Sequence, residues 1–402
     1  YEDISISLID TKTEKGTPIL KKDLKKTNIT TRDIDKKNYK HFLDKEINDT
    51  SDIVSRTISN YVQPEKSTDI ENISNAIAIT NEQIPEYIFE NLKNKEIKKV
   101  IITGMGTCYT AAVAISMYMR SRMKIINPEM VIEPHIATEG SGFYLNQNMS
   151  DTLVVVVAQS GTTVDTNVYV QMAKDRGAMS LAIANKREGD VTFIVDGTLY
   201  IGEGRDIEIA VPSTKTYSAQ VILGYILSAY LCLKMSKDSK DIKMIIEDVK
   251  NIKRVKSLTK KSFETIKNLS FISNITNFAM KYNSWYVIRD DSTNSVCAEE
   301  IRIKYSENCY QSVPSISLDE SIDLKINNSF LTLITENLNN KNNKDILELL
   351  KRNNYLVLIG VNIKVNNQLL KFEEKNKLKI INMPRASKYF SFLPTIIAGQ
   401  FL

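Results

Sequence analysis

Histidine is nearly missing from this chain: among 402 residues only His41 and His135 occur. Neither stands beside a second ligating residue, which argues against a zinc centre, and the scarcity narrows the choice of general acids and bases near neutral pH. Cysteine is sparse as well. Cys108, Cys232, Cys297 and Cys309 include no CxxC pair and no metal-ligand spacing, the pattern of free thiols in a reducing compartment and of no bound metal. No apolar run reaches the roughly 18 uninterrupted residues that a membrane span needs. The longest candidate, Val221 to Leu233, is broken by Gly224, Ser228 and Tyr230 and reads as a buried helix. An excess of one charge is lacking too. The net charge of +5 comes from 53 Lys and Arg against 48 Asp and Glu spread along the chain, not gathered into the basic stripe of a nucleic-acid binder. With no secretory leader pattern at the start, the expectation is a cytoplasmic protein with neither nucleic acid nor membrane as a partner.

Apolar residues at 42% and charged residues at 25% are ordinary for a globular protein, and the length suits two domains. The opening, Ile4-Ser5-Ile6-Ser7-Leu8, alternates like an edge strand. It reads as the middle of a longer polypeptide, and Leu393 to Leu402 reads as a helix cut part way. Residues 1–67 are expected to be a polar, lysine-rich linker with a helical piece around Tyr39 to Val62.

From there the pattern becomes periodic. Strands are predicted at Lys98–Thr103, Met130–Pro134, Thr152–Val157, Ser180–Ile183 and Thr192–Val195, with helices at Thr107–Arg122, Thr163–Arg176 and Ser213–Lys234. A second series follows a helical stretch over Ile242 to Tyr282. It has strands at Ser284–Arg289, Phe330–Thr335, Tyr355–Ile359 and Leu378–Asn382, and helices near Asn294–Glu307 and Lys344–Asn353. Alternation of this kind implies an α/β fold of two similar tandem units, over 68–240 and 241–402. Each would be a parallel sheet flanked by helices in the doubly wound manner of flavodoxin-like and Rossmann-like domains.

Two strand ends carry chemistry. Val100-Ile101-Ile102 runs into Gly104-Met105-Gly106-Thr107-Cys108-Tyr109, and Leu153-Val154-Val155-Val156-Val157 runs into Ala158-Gln159-Ser160-Gly161-Thr162-Thr163. Each is a small, hydroxyl-rich turn entering a helix, where unpaired N–H groups and the helix dipole favour a phosphate. One such turn often does no more than cap its helix. Two at the carboxyl ends of strands in one parallel sheet suit a bound anion.

These motifs resemble those of the sugar isomerase (SIS) family. Together with Pro212-Ser213-Thr214-Lys215-Thr216-Tyr217-Ser218-Ala219-Gln220 and the linker Asn38-Tyr39-Lys40-His41-Phe42-Leu43-Asp44-Lys45-Glu46-Ile47, they are most similar to the isomerase half of the glutamine:fructose-6-phosphate aminotransferases. The resemblance extends loosely over residues 38–402. It implies sugar-phosphate binding by Thr107, Cys108, Gln159, Ser160 and Thr163, with Ser213 and the backbone at Val211 facing sugar hydroxyls. It also implies no cofactor, a homodimer, and a glutaminase domain upstream of Tyr1. Cys108 and Ala158 stand where the family has serines, so two hydroxyl donors are lost.

In the family an early helix of the second unit presents a lysine and, three residues on, a proton-shuttling glutamate, and a histidine downstream helps open the sugar ring. Here the corresponding helix reads Val296-Cys297-Ala298-Glu299-Glu300-Ile301-Arg302-Ile303-Lys304-Tyr305-Ser306-Glu307. The alignment puts Arg302 at the lysine, Tyr305 at the glutamate and Ser321 near the histidine. Glu299, Glu300 and Glu307 are nearby carboxylates, one of which takes the glutamate's place if the register differs. The catalytic candidates are thus Glu299, Glu300, Arg302 and Tyr305. The expected function is an aminotransferase-isomerase converting a ketose 6-phosphate and ammonia into a 2-amino-aldose 6-phosphate. The alternatives are a SIS deglycase or isomerase for another phosphosugar, and a phosphosugar-binding module without catalysis.

Overall fold

The structure, a computed structural model, describes residues 7–9, 12–13, 15–20, 34–63, 73–236, 238–290, 293–336 and 338–402. The chain divides into two compact bodies, Tyr1–Asp35 and Lys36–Leu402. In the first, β1 (Ser7–Ile9) and β2 (Gly16–Pro18) pair antiparallel and are exposed throughout. Of the expected edge strand, Ile4 to Ile6 lie outside the described residues.

The second body begins with α1 (Phe42–Tyr61) and α2 (Glu86–Lys93). Then come β3 (Lys99–Gly104), α3 (Thr107–Ile126), β4 (Val131–Ile136), α4 (Ala137–Glu139), β5 (Thr152–Ala158) and α5 (Val164–Lys174). The first sheet finishes with β6 (Met179–Ala184), α6 (Val191–Ile194) and β7 (Gly197–Tyr200). Helices α7 (Lys215–Met235), α8 (Ser239–Lys267) and α9 (Ile272–Ala279) lead to the second sheet. There the order is β8 (Trp285–Arg289), α10 (Ser295–Cys309), β9 (Ser315–Ser317), α11 (Leu318–Asp323), β10 (Phe330–Thr335) and α12 (Asn340–Lys351). It closes with β11 (Tyr355–Val361), α13 (Asn367–Glu374), β12 (Leu378–Met383) and α14 (Phe392–Gln400).

Each sheet has five parallel strands, ordered β4-β3-β5-β6-β7 and β12-β11-β10-β8-β9. The two orders are the same with β8 standing for β3, β9 for β4 and β10 for β5, so the expected repeat of two parallel α/β units is present. In both, the chain steps to one side of the first strand and then returns to its other side. Every residue of β5 is buried, which explains its unbroken valine run: a central parallel strand is covered on both faces and cannot alternate.

Helix α7 is the hub. It packs on α1, α3 and α8 and is buried from Lys215 through Cys232, in a core that also gathers residues of α10 and α14. Among the described residues it is the one helix long and apolar enough to cross a membrane, and 94% of its most apolar window is buried in the fold.

The strand predicted at Thr192–Val195 is not there. Val191–Ile194 form the short helix α6, and the edge strand is Gly197–Tyr200. Two interactions override the β-branched composition. The Val191 N–H donates to the Gly161 carbonyl, and the Asp196 carboxylate accepts from the Ser180 N–H and hydroxyl, which fixes where pairing with β6 begins. Tertiary contacts commonly outweigh strand propensity in this way.

Helices α3 and α7 approach closely at Gly224, where an added Cβ would lie 2.3 Å from Cγ1 of Ile115. Gly224→Ala should therefore destabilise the protein by about 1–3 kcal/mol despite its better helix propensity. Urea unfolding checks this. Adding Ile115→Ala should make the two losses non-additive, because the second change vacates the space the first one needs.

Candidate functional site

The reversal of strand order around β3 leaves a crevice at the carboxyl ends of β3 and β5, the place where open parallel sheets accept ligands. The turn after β3 enters α3 through Gly106, and the turn after β5 enters α5 through Thr163. Because β3 and β5 are hydrogen-bonded neighbours, the two turns lie side by side. A third segment, residues 208–213, leads into α7 and closes the wall. Together they line a cleft of about 420 Å³, a size suited to a small metabolite.

Every residue expected to bind the sugar phosphate lines this one cleft. Thr107 and Cys108 come from the first turn, Gln159, Ser160 and Thr163 from the second, and Val211 and Ser213 from the third. In the second turn the Ser160 and Thr162 hydroxyls are 3.0 Å apart, and the Thr162 N–H donates to Ser160 Oγ. Gly161 has φ +72°, and a Cβ there would sit 2.8 Å from the Gly189 backbone, so the turn needs a residue without a side chain. Its carbonyl accepts from Val191 N–H and Asn167 Nδ2. The carbonyl is tied back, and the first-turn N–H groups of α5 have no partner within their own helix.

Sequence reasoning missed Glu208, which also lines the cleft. Its carboxylate accepts from the N–H groups of Thr214 and Thr216 and from the hydroxyls of Ser213 and Thr216. It thereby caps α7, a charge where the helix dipole favours one. The only signal in the sequence was an acidic residue a few positions before a Ser-Thr run. Glu46 of α1, 2% exposed, accepts from the N–H groups of Ile209 and Ala210 and so braces the wall segment. Its Oε2 is buried with no partner among the described residues, and burial raises its pKa above the usual carboxylate range.

Burial pushes the Cys108 thiol up to about 11, so at neutral pH it is a neutral group, not a nucleophile. Gln220 Nε2 contacts its sulfur at 3.6 Å. Among the residues lining the cleft none is Lys or Arg. An anion there would rely on N–H groups and hydroxyls.

The second unit reaches the cleft through α10. Glu300, Lys304 and Glu307, spaced four and three apart, share one helix face. Glu300 is fully buried and accepts from the hydroxyls of Thr107 (3.2 Å) and Thr110 (2.6 Å). Lys304, 3% exposed, has its Nζ 2.8 Å from Thr107 Oγ1, 3.1 Å from Glu300 Oε1 and 3.2 Å from Glu307 Oε2. Burial opposes its charge, but the two carboxylates outweigh burial and raise its pKa, so it stays an ammonium. Burial likewise raises the pKa of Glu300 against the pull of Lys304 and the two hydroxyls. Glu307 lines the cleft.

The remaining catalytic candidates point elsewhere. Glu299 pairs with Arg302 at 3.1 Å and lies 3.7 Å from Arg289. Tyr305 is buried, 3.0 Å from the Thr332 hydroxyl on β10 and edge-on to Trp285. None of Glu299, Glu300, Arg302 and Tyr305 lines the cleft. Ser321, near the family's histidine position, is buried and donates to the Leu318 carbonyl. His135 packs locally, with Nδ1 2.8 Å from the Tyr169 hydroxyl, and burial lowers its pKa.

Comparison with known proteins agrees with this geometry. Residues 95–229 match the model of the SIS domain family. A glutamine–fructose-6-phosphate aminotransferase (isomerizing) of Fusobacterium nucleatum is 30% identical over 226 residues, covering 56% of this chain and 33% of that protein. One from Clostridium tetani is 32% identical over 197 residues, covering 49% of this chain and 29% of that protein. The chain thus spans about a third of the length of the curated relatives it matches. Among solved structures, the C-terminal domain of glucosamine-fructose-6-phosphate aminotransferase from Francisella tularensis superposes with a TM-score of 0.69 at 19% identity, covering 91% of this chain and 97% of that one. Glucosamine-6-phosphate deaminase from Thermotoga maritima gives a TM-score of 0.58 at 14% identity, covering 89% and 93%. At those identities the structural likeness carries the fold. The chain contains a SIS domain homologous to the isomerase domain of glutamine–fructose-6-phosphate aminotransferases, within a fold of two tandem parallel α/β units that matches the C-terminal domain of such an enzyme.

The buried Glu46 gives a pH test. Its folded pKa is raised, so its contribution to stability is present at low pH and is lost as pH rises through that value. Glu46→Gln, which keeps the acceptor, removes this loss. Its thermal midpoint relative to wild type should rise as pH increases above the ordinary carboxylate value and level off once pH passes the raised folded value, as read by calorimetric scans at each pH. A flat difference contradicts the assignment.

Proposed function

We propose that this chain is a SIS phosphosugar isomerase, and within that class the isomerase part of an enzyme converting a ketose 6-phosphate and glutamine-derived ammonia into a 2-amino-aldose 6-phosphate. The observation that supports this reading is the convergence of two hydroxyl-rich turns and the segment before α7 on one cleft lined also by the carboxylates Glu208 and Glu307. The reading divides the chain into a leading segment over 1–67, a first SIS unit over 68–240 and a second over 241–402. A homodimer working in the cytoplasm without cofactor, nucleic acid or membrane goes with it by family resemblance.

In this account the phosphate sits at the α5 N-terminus, held by N–H groups and by the side chains of Gln159, Ser160 and Thr163. Thr107 and Cys108 border it, while Ser213 and the backbone at Val211 meet the sugar hydroxyls. Ammonia adds to the C2 carbonyl and water leaves, giving an imine. With the imine nitrogen protonated, a base takes a proton from C1 to give the enamine, and the proton is returned to C2 as the C1 hydroxyl gives up its own, so that C1 becomes the aldehyde carbon and C2 bears the amine. A carboxylate suits that transfer between adjacent carbons. We assign it to Glu307 ahead of Glu299, Glu300, Arg302 and Tyr305, because of these five only Glu307 lines the cleft. Tyrosine and arginine are also the wrong acids for the task near neutral pH.

Lys304 and Glu307 keep the spacing of the family's lysine and glutamate, so the pair moves along α10 from Arg302 and Tyr305 and a base is retained. The missing histidine, with Ser321 near its position, favours one second reading, a SIS deglycase or isomerase for another phosphosugar. A binding module without turnover is the limiting case.

Fructose 6-phosphate with ammonia should yield hexosamine 6-phosphate. Glu307→Gln should slow that conversion by about 100-fold or more while phosphosugar affinity stays within about threefold. Turnover of fructosamine-type phosphates alone points to the deglycase, and binding with no turnover of any phosphosugar sinks both enzymatic readings. Ala158→Ser, which restores a missing hydroxyl, should tighten phosphosugar binding by about 1 kcal/mol, read by titration calorimetry.

A further inference from the structure

The third wall of the cleft, residues 208–213 with those that lead to it from β7, has little backbone support of its own. It contains no helix or strand, and among the described residues no backbone-to-backbone hydrogen bond holds 206–213. A buried N–H without a partner is costly, so side chains must supply the acceptors. Asn185 supplies one, for the Asp206 N–H. Helix α1 serves three more, and α1 lies outside the stretch 95–229 that matches the SIS domain family.

The helix and the wall run in opposite directions, so their contacts come in reverse order along α1. Thr57 Oγ1 accepts from the Gly202 N–H, and Asn60 Nδ2 donates to the Gly202 carbonyl. Arg56 pairs with Asp206. Asp49 lies 3.8 Å from the ammonium of Lys215, the first residue of α7. Between these two ends, one oxygen of Glu46 accepts from both Ile209 and Ala210, directly before Val211.

We propose that α1 is part of the ligand site, with Glu46 as a positioning residue that fixes the backbone at Val211 and the place of Ser213. Glu46 itself touches no ligand, since it is 2% exposed and does not line the cleft. An apolar side chain would fill the same space without the cost of burying a carboxylate, but it could not accept from two successive N–H groups. The other oxygen of Glu46 has no partner among the described residues, so the polar bonds this carboxylate makes go to the wall. The consequence for the sugar rests on the phosphosugar reading, whereas the ordering of the wall does not.

The test places two substitutions at one position in the full chain. Glu46→Leu keeps much of the volume and removes the acceptor. Glu46→Gln keeps an accepting oxygen and puts its amide nitrogen where Oε2 has no bond to lose. In Glu46→Leu, amide hydrogen exchange over residues 207–211 should be at least about tenfold faster than in wild type, while 104–109 and β5 keep their protection. Affinity for glucosamine 6-phosphate, read by titration calorimetry, should fall at least about fivefold. Glu46→Gln should stay within about twofold of wild type in both measurements.

A Glu46→Leu protein that loses only global stability, with exchange over 207–211 or affinity unchanged, overturns the inference. So does a Glu46→Gln protein as impaired as Glu46→Leu. A wild-type protein that binds no phosphosugar overturns the proposed function instead, and exchange over 207–211 then decides whether α1 sets the wall. Should Glu46→Leu not fold, Arg56→Met with Thr57→Val releases the other end of the wall and decides by the same two measurements. Faster exchange over 202–207 with weaker binding supports the inference, and an unchanged value of either overturns it.

Discussion

The parallel pairing of β3 with β5 is the constraint from which the site follows. The two strands are adjacent in the sheet but separated in the chain by α3, β4 and the segment beyond it, because the connection reverses direction after β4. Two turns that leave neighbouring parallel strands at the same edge must open toward the same crevice. Their helices then aim two N-termini at one volume. The apolar run of β5 is what makes the pairing durable, since all of its residues are buried and leaving the sheet would expose them to water. Small residues in the turns, Gly161 above all, let the backbone come close enough to serve as the binding surface.

The second unit matters to the site through one helix face. Its own sheet repeats the strand order of the first, but its contribution to the cleft comes from α10, which presents Glu300, Lys304 and Glu307 along a single line toward α3. Packing through α7, α8 and α14 holds that helix against the first unit. The cleft therefore depends on both units: the first supplies the donors for an anion, the second the buried charges that brace them and the carboxylate beside them.

Much of this was legible beforehand, and what was not has a physical reason. Central strands such as Thr152–Ala158 announce themselves by continuous burial, and the turns that follow by their glycines and hydroxyls. The seven residues assigned to the sugar phosphate could be brought together because their order along the chain, with the parallel fold, fixes where they meet. Edge elements were harder. Val191–Ile194 looks like a strand, and only the contacts of Val191 with Gly161 and of Asp196 with Ser180 make it a helix followed by a later strand. Strand β9 is three residues long and α13 sits between polar loops, so neither carries a strong period.

Aligning α10 to a family pattern pointed to Arg302 and Tyr305, but helix rotation decides which side chains face the cleft. Glu300 and Lys304 turn toward α3 and Glu307 lines the cleft, whereas Arg302 pairs with Glu299 and Tyr305 packs toward β10. Glu208 and Glu46 escaped notice because their partners are backbone N–H groups that only the folded loop creates.

The central claim is that the turns beginning at Thr107 and Gln159 form one cradle for a phosphate. A crystal structure of the protein soaked with fructose 6-phosphate tests it most directly. The account predicts phosphorus density at the α5 N-terminus within hydrogen-bonding reach of Ser160 and Thr163, with C1 and C2 of the sugar on the Glu307 side. A phosphate bound elsewhere on the molecule, with this cleft holding only water, would contradict it.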